Sequence, residues 1–198
     1  SGVRTRHSVV LESSDPAATV RQTFYPPARH EADGGPTTSE RMLRYEVHAG
    51  PLAVSAARRA LEASGRQTSD VTHLITVSCT GFAAPGIDVA LIGELSLAPG
   101  VSRTHIGFMG CHGALNGLRV ANALSAADPA ASILLCAVEL CSLHQQYGWN
   151  PDRIVANALF ADGAAALVAG ADPGGSRDHH RWFPLQLLAS GSTIVGDS

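Results

Sequence analysis

An α/β fold built on a parallel sheet follows from three observations. Short apolar runs rich in β-branched residues recur along the chain, segments with helical spacing separate them, and one strand plus one helix takes about thirty residues. Strand, helix, strand, helix, strand in that rhythm requires right-handed crossovers between parallel neighbours. With 198 residues, 45% of them hydrophobic, the chain is long enough for a sizeable core, and no linker divides it.

The elements follow in order. "TFYPPARHEADGGPTT" (23–38) is rich in Pro and Gly and predicts irregular surface chain. "TTSERMLRYEVHAGPLAVSAARRALEASG" (37–65) offers a Thr/Ser cap with Glu40 soon after, apolar positions at helical spacing, an interruption near Gly50–Pro51 and a closing Gly65. It predicts two consecutive helices. "VTHLITVSC" (71–79) reads as a strand buried on both faces, "TGFAAPG" breaks it, and "GIDVALIGELSL" (86–97) returns to helical period. "THIGFMG" (104–110) is a second strand, "CHGALNGLRVANALSAAD" (111–128) a helix and "ASILLCAVEL" (131–140) a third strand. "NPDRIVANALF" (150–160) then predicts a short helix, "ADGAAALVAG" (161–170) a strand, and "RWFPLQLLASGSTIV" (181–195) a last strand, a hairpin partner for the one before.

Composition narrows the function. The formal charge is -3 and the 14 Lys and Arg are scattered, which gives little electrostatic basis for a nucleic-acid partner. No run approaches the ~18 to 20 apolar residues of a bilayer span, and the first residues lack a signal-peptide progression, so the expectation is no membrane association and a cytoplasmic location. Four cysteines, Cys79, Cys111, Cys136 and Cys141, could form two disulfides, but reduced thiols suit a chain without a secretory signal. With no CxxC pair and no HxxxH, no metal is expected.

Cys111 ends a strand and opens a helix, the position at which open α/β sheets bind ligands. Gly110 and Gly113 on either side allow a tight turn and close approach of a ligand. The helix that follows carries Ala114, Leu115, Leu118, Val120, Ala121 and Leu124, apolar over most of its circumference, and is expected to be buried. A thiol at such an N-terminus faces unpaired N–H groups that favour thiolate, bringing a pKa below the ~8.5 of free cysteine, and the same groups could bind an oxyanion. Buried cysteine is also common and inert, so position alone leaves both a packing residue and a nucleophile open.

Successive helical residues diverge by about 100 degrees, which makes His112 a poor base for Cys111. His105 belongs to the start of the preceding strand, at the opposite end. His144 follows the third strand and falls on the same sheet edge, where it reads as a pocket-lining residue rather than a base. Cys79 and Cys141 also sit at strand ends, so three thiols could converge on one small apolar chamber.

The motifs "VSCTGFAAPGIDVALIGEL", "IGFMGCHGALNGLRVA", "ELCSLH" and "ALFADGAAALVAG", in this order and spacing, closely resemble the amino-terminal half of type III polyketide synthases, the chalcone and stilbene synthase family, and its bacterial branch above all. The resemblance runs from about Val71 to Asp197. It implies a thiolase-like fold with αβαβα layers, of which residues 1–198 would be the amino-terminal half, a fragment of a longer enzyme. It implies that Cys111 accepts a starter acyl group from coenzyme A as a thioester, and that malonyl-CoA, decarboxylated to a carbanion, extends it. Phe160 looks like the aromatic gatekeeper of the coenzyme A tunnel, and Cys79, Cys141 and His144 look like cavity-lining positions. Arg4 and Arg6 resemble a basic stretch that receives coenzyme A phosphates. Pro85–Gly86 resembles a loop near a dimer interface, with Ala84 in place of a bulky residue, so a homodimer is implied. Coenzyme A thioesters enter as substrates and no bound cofactor is expected.

The family takes its catalytic His and Asn from the carboxyl-terminal half, so these 198 residues alone are expected to be inactive in condensation. Two other readings stand beside this one. A catalytically silent module of the same fold would work through binding or dimerisation, and a Cys–His hydrolase would need a base within hydrogen-bond reach of Cys111.

Overall fold

The computed structural model describes residues 2–12, 22–171 and 185–193. Helix α1 spans Thr38–Ser64 without a break. The Thr37 hydroxyl accepts from Glu40 N at 3.3 Å while the Glu40 carboxylate accepts from Thr37 N at 2.7 Å, a reciprocal cap. Gly65, at φ 67°, closes the helix in the left-handed conformation. The sequence predicts two helices here, and there is one. Pro51 removes the bond its own N–H would have given one turn back, and its ring crowds the carbonyl there. Tyr45, Ala49, Ala53, Ala57 and Leu61, four residues apart and all buried, form a stripe that a break at Gly50–Pro51 would dismantle.

The sheet comprises β1 (His73–Ser78), β2 (Ser102–Gly107), β3 (Ser132–Leu140) and β4 (Asp162–Gly170) in the order β2-β1-β3-β4. Strand β1 is parallel to both β2 and β3, while β4 runs antiparallel to β3 with Leu140 opposite Asp162. The remaining helices are α2 (Ile87–Leu95), α3 (Gly113–Ala127) and α4 (Pro151–Leu159). Strand alternation divides the core in two. Leu74, Leu134, Cys136 and Val138 face α1 and α2, whereas Ile75, Ile133 and Leu135 join Ala121 of α3 on the other face. The layers are therefore helix, sheet, helix.

Strand β2 begins and ends earlier than the predicted 104–110, because Phe108 (φ 57°) and Gly110 (φ 63°) turn the chain after Gly107. His105 is accordingly inside the strand, with Nδ1 2.9 Å from Thr76 Oγ1, not at the far end. Helix α3 is not buried around its circumference as its composition suggests. Only Gly113, Gly117 and Ala121 are buried, and Leu115 is 61% exposed. A Cβ on Gly117 would lie 2.5 Å from Leu135, so the missing side chains let this one stripe approach the sheet, while among the described residues nothing covers the opposite face.

The strand predicted over 181–195 is also corrected. Residues 185–193 pair with no neighbouring strand, and Leu185 and Leu188 are 98% and 85% exposed; the rest of that stretch lies outside the described residues.

Gly81 follows β1 and meets the ring of Tyr45, to whose Cγ and Cδ2 a Cβ would come within 2.3 Å. Tyr45 is 1% exposed and donates from its hydroxyl to Ser78 Oγ at 2.7 Å, so it has no room to retreat. Gly81→Ala is expected to destabilise by about 1–3 kcal/mol through overpacking, read as a fall of roughly 3–10 °C in thermal midpoint.

Candidate active site

Because β1, β2 and β3 are mutually parallel, their C-terminal ends open on one edge of the sheet. Strand β4 starts at that edge too, since Asp162 pairs with Leu140. Four segments meet there: Cys79–Gly81 after β1, the Gly110–His112 turn after β2, the Cys141–His144 turn after β3, and Phe160 between α4 and β4.

Cys111 is exposed, on a 3-10 turn that leads into α3. The turn is reached through Phe108, a non-glycine residue in the left-handed region with 82% of its surface exposed. Such a conformation costs about 1–2 kcal/mol and is held by what surrounds it. One such hold is Gly110 N, which donates to Cys79 Sγ at 3.1 Å. Cys141 is half-buried, and its thiol is held above its ordinary range by burial first, then by the charges of Glu139, Asp162 and Cys111. Three thiols thus gather at the edge. The fourth does not: Cys136 is fully buried, with Sγ 3.5 Å from Ala53 O, and burial pushes its thiol up to about 12.

His144 places Nε2 2.6 Å from the Thr80 carbonyl. A carbonyl only accepts, so Nε2 carries the proton and is committed to the backbone. Among the described residues no hydrogen bond joins Cys111 to a histidine, and His112 is exposed on the neighbouring position. The arrangement gives no support to a Cys–His hydrolase.

Phe160 follows the last turn of α4, 52% exposed. The Arg6 guanidinium reaches that helix end and donates to Asn157 O and, at 3.3 Å, to Phe160 O. Arg6 therefore lies against the backbone of Phe160, and it complements the negative end of the helix dipole. Arg4 is exposed. Among the described residues no group of three or more His, Cys, Asp or Glu is arranged to hold a metal ion, and no helix is long and apolar enough to cross a membrane.

The site also rests on residues that sequence reasoning did not single out. The Glu139 carboxylate accepts from Cys79 N at 2.9 Å, Thr80 N at 2.9 Å and Thr80 Oγ1 at 2.7 Å. Asp162, 9% exposed, accepts from Ser142 N at 2.7 Å, Ser142 Oγ at 2.6 Å and Val9 N at 2.8 Å, and so ties the third turn and the N-terminal segment to β4. A lone carboxylate ending an otherwise apolar strand, as in "ILLCAVEL", was the available signal for Glu139.

Residues 24–173 match the family model described as chalcone and stilbene synthases, N-terminal domain. The chain belongs to this family. The match starts well before Val71, where the sequence motifs begin, and ends before Asp197, so family likeness takes in α1 as well as the sheet. A curated member named alpha-pyrone synthesis polyketide synthase-like Pks18, from Mycobacterium tuberculosis, is 41% identical over 135 residues, 68% of this chain and 34% of its own length. Type III polyketide synthase C of Arabidopsis thaliana is 34% identical over 173 residues, 86% of this chain and 43% of its own.

Solved structures of the family agree with the fold. PKS-I of the brown alga Ectocarpus siliculosus superposes with a TM-score of 0.68 at 40% identity, covering 77% of this chain and 40% of that one. Germicidin synthase of Streptomyces coelicolor, a type III polyketide synthase, gives 0.66 at 32% identity, covering 69% and 36%. The fold is therefore thiolase-like, as in these synthases, and the chain spans between about a third and under half of the length of these relatives.

Proposed function

We propose that this chain is the nucleophile-bearing part of a type III polyketide synthase, in which Cys111 takes a starter acyl group from a coenzyme A thioester. The observation that carries the reading is the exposed thiol of Cys111 on a tight turn where three parallel strands end, inside the family-matched region. The thiolate attacks the thioester carbonyl, the new C–S bond forms as the old one breaks, and coenzyme A leaves as a thiolate that takes up a proton. Sulfur suits both halves of the exchange, being strongly nucleophilic and a good leaving group. Gly113 N, the first N–H of α3, donates back to Gly110 O, so in this reading a developing oxyanion is met by other backbone N–H groups around the turn.

Extension by decarboxylative condensation with malonyl-CoA belongs to the whole enzyme, with a His and an Asn contributed by the carboxyl-terminal half, and with two chains associating as a homodimer. Cys79, Cys141 and His144 line the acyl cavity in this reading. Phe160 stands at its entrance, and Arg6 and Arg4 lie on the side from which coenzyme A phosphates arrive.

The test is intact-mass analysis of the chain after incubation with a medium-chain acyl-CoA, followed by peptide mapping. One acyl group on Cys111 is the expected result, with no polyketide formed when malonyl-CoA is added to these 198 residues alone. No adduct, or an adduct on Cys79 or Cys141 while Cys111 stays free, overturns the assignment.

A further inference from the structure

Arg41 is an outlier in the core. It lies four residues before Tyr45 on the buried stripe of α1 and is only 9% exposed, yet among the described residues no carboxylate pairs with it. Its charge is met by backbone carbonyls. Nε donates to Pro36 O at 2.8 Å, one terminal nitrogen shares its two N–H groups among Leu143 O, Gln145 O at 3.2 Å and Tyr25 Oη at 3.0 Å, and the other donates to Gly34 O at 3.4 Å. Tyr25 in turn donates to Ser142 O at 2.7 Å, and its ring centroid is 5.8 Å from the guanidinium carbon. The carbonyls of residues 142, 143 and 145 are thus all fixed by this pair, and the residue they flank is His144.

We propose that Arg41 is a positioning residue: by holding the carbonyls on both sides of His144 it fixes that imidazole on Thr80 O in a single tautomer at the thiol-bearing edge. A planar guanidinium presents its donors in a fixed fork, so the bonds to Pro36 O and Gly34 O aim the remaining terminal nitrogen at the carbonyls of residues 143 and 145, an aim that an ammonium on a flexible stem lacks. Thr80 is itself held by Glu139, so the imidazole is braced from both ends. With Nε2–H committed, Nδ1 is the only ring nitrogen left to meet a substrate, and it meets it as an acceptor. The consequence for substrate rests on the proposed function above; the clamp itself does not.

The tautomer is read directly by two-bond 1H–15N spectra of the 198-residue chain at about pH 8, where imidazole is neutral. His144 in the unaltered protein is expected in the Nε2–H form. Arg41→Met and Arg41→Lys are expected to lower the ratio of that form to the other by roughly three- to tenfold, the worth of one net hydrogen bond. Cys136 remaining protected from alkylation shows that the core of the variant is intact, a readout that general loosening would move and loss of the clamp would not. An unchanged tautomer ratio in a variant with Cys136 protected overturns the proposal. If neither variant folds, the unaltered chain decides: Arg41 guanidinium protons must exchange with solvent more slowly than those of the exposed Arg59, and equal rates overturn the clamp. No substrate is needed, so a chain that takes up no acyl group yet shows the tautomer shift loses the proposed function and keeps the clamp. Acyl uptake without the shift does the reverse.

Discussion

Iodoacetamide at neutral pH is expected to modify Cys111 much faster than Cys136, whose thiolate is depleted about tenfold for each unit by which burial raises its pKa. Cys111 is exposed, whereas Cys136 is fully buried and pushed up to about 12 from an ordinary value of 9.0. Inaccessibility multiplies that factor. Cys141, half-buried and raised by burial and by neighbouring negative charge, is expected to fall between them. Mass spectrometry of peptides from timed quenches supplies the order, and Cys136 reacting as fast as Cys111 would contradict the packing described for β3.

The same shift has a consequence for stability. A folded-state pKa above the unfolded one means that the native chain keeps a proton the unfolded chain has lost. The stabilisation is complete below about pH 9 and is lost progressively as pH rises toward 12, amounting to about 4 kcal/mol over three units. Burial raises Tyr25 and Tyr45 in the same direction. Urea midpoints are therefore expected to fall between pH 8 and about pH 10.5, and Cys136→Ala should remove the thiol's share of that slope.

Legibility in the sequence followed the physics of each element. Strands β1 and β3 announce themselves because burial on both faces demands unbroken apolar runs, and the α1 ends because caps have chemical signatures. Cys111 was legible as the residue between a strand and a helix. The continuity of α1 through Pro51 was not, because local propensity registers the lost hydrogen bond and not the stripe from Tyr45 to Leu61 that outweighs it. Composition alone also misjudged α3, whose contact is set by where glycines permit close approach. Arg41 and Asp162 act through backbone carbonyls and amides supplied by segments far along the chain, and such partners leave no local pattern. Even so, Arg41 occupies a position that the four-residue repeat of the α1 stripe marks as interior.

Glu139→Ala is expected to destabilise the chain by about 3 kcal/mol, because it strands several donors at once. The ladder of β1 ends at Ser78 on the β2 side and at Val77 on the β3 side, so the N–H groups of Cys79 and Thr80 have no strand to bond. The half-buried Glu139 carboxylate takes both of them and the Thr80 hydroxyl, while Thr80 Oγ1 accepts from Leu140 N at 2.8 Å. Charged acceptors make the stronger class of hydrogen bond, and removing one leaves its partners desolvated. The effect should reach the turn that carries Cys111, because Cys79, once released, no longer offers Sγ to Gly110 N. Thermal midpoint is expected to fall by roughly 6–12 °C, with faster hydrogen exchange at the amides of residues 79, 80 and 110. Glu139→Gln keeps one carbonyl oxygen but turns an N–H2 toward a donor, and should lose about half as much. A Glu139→Ala chain as stable as the original, with those three amides unchanged, would mean that the end of β1 is held by something other than this carboxylate.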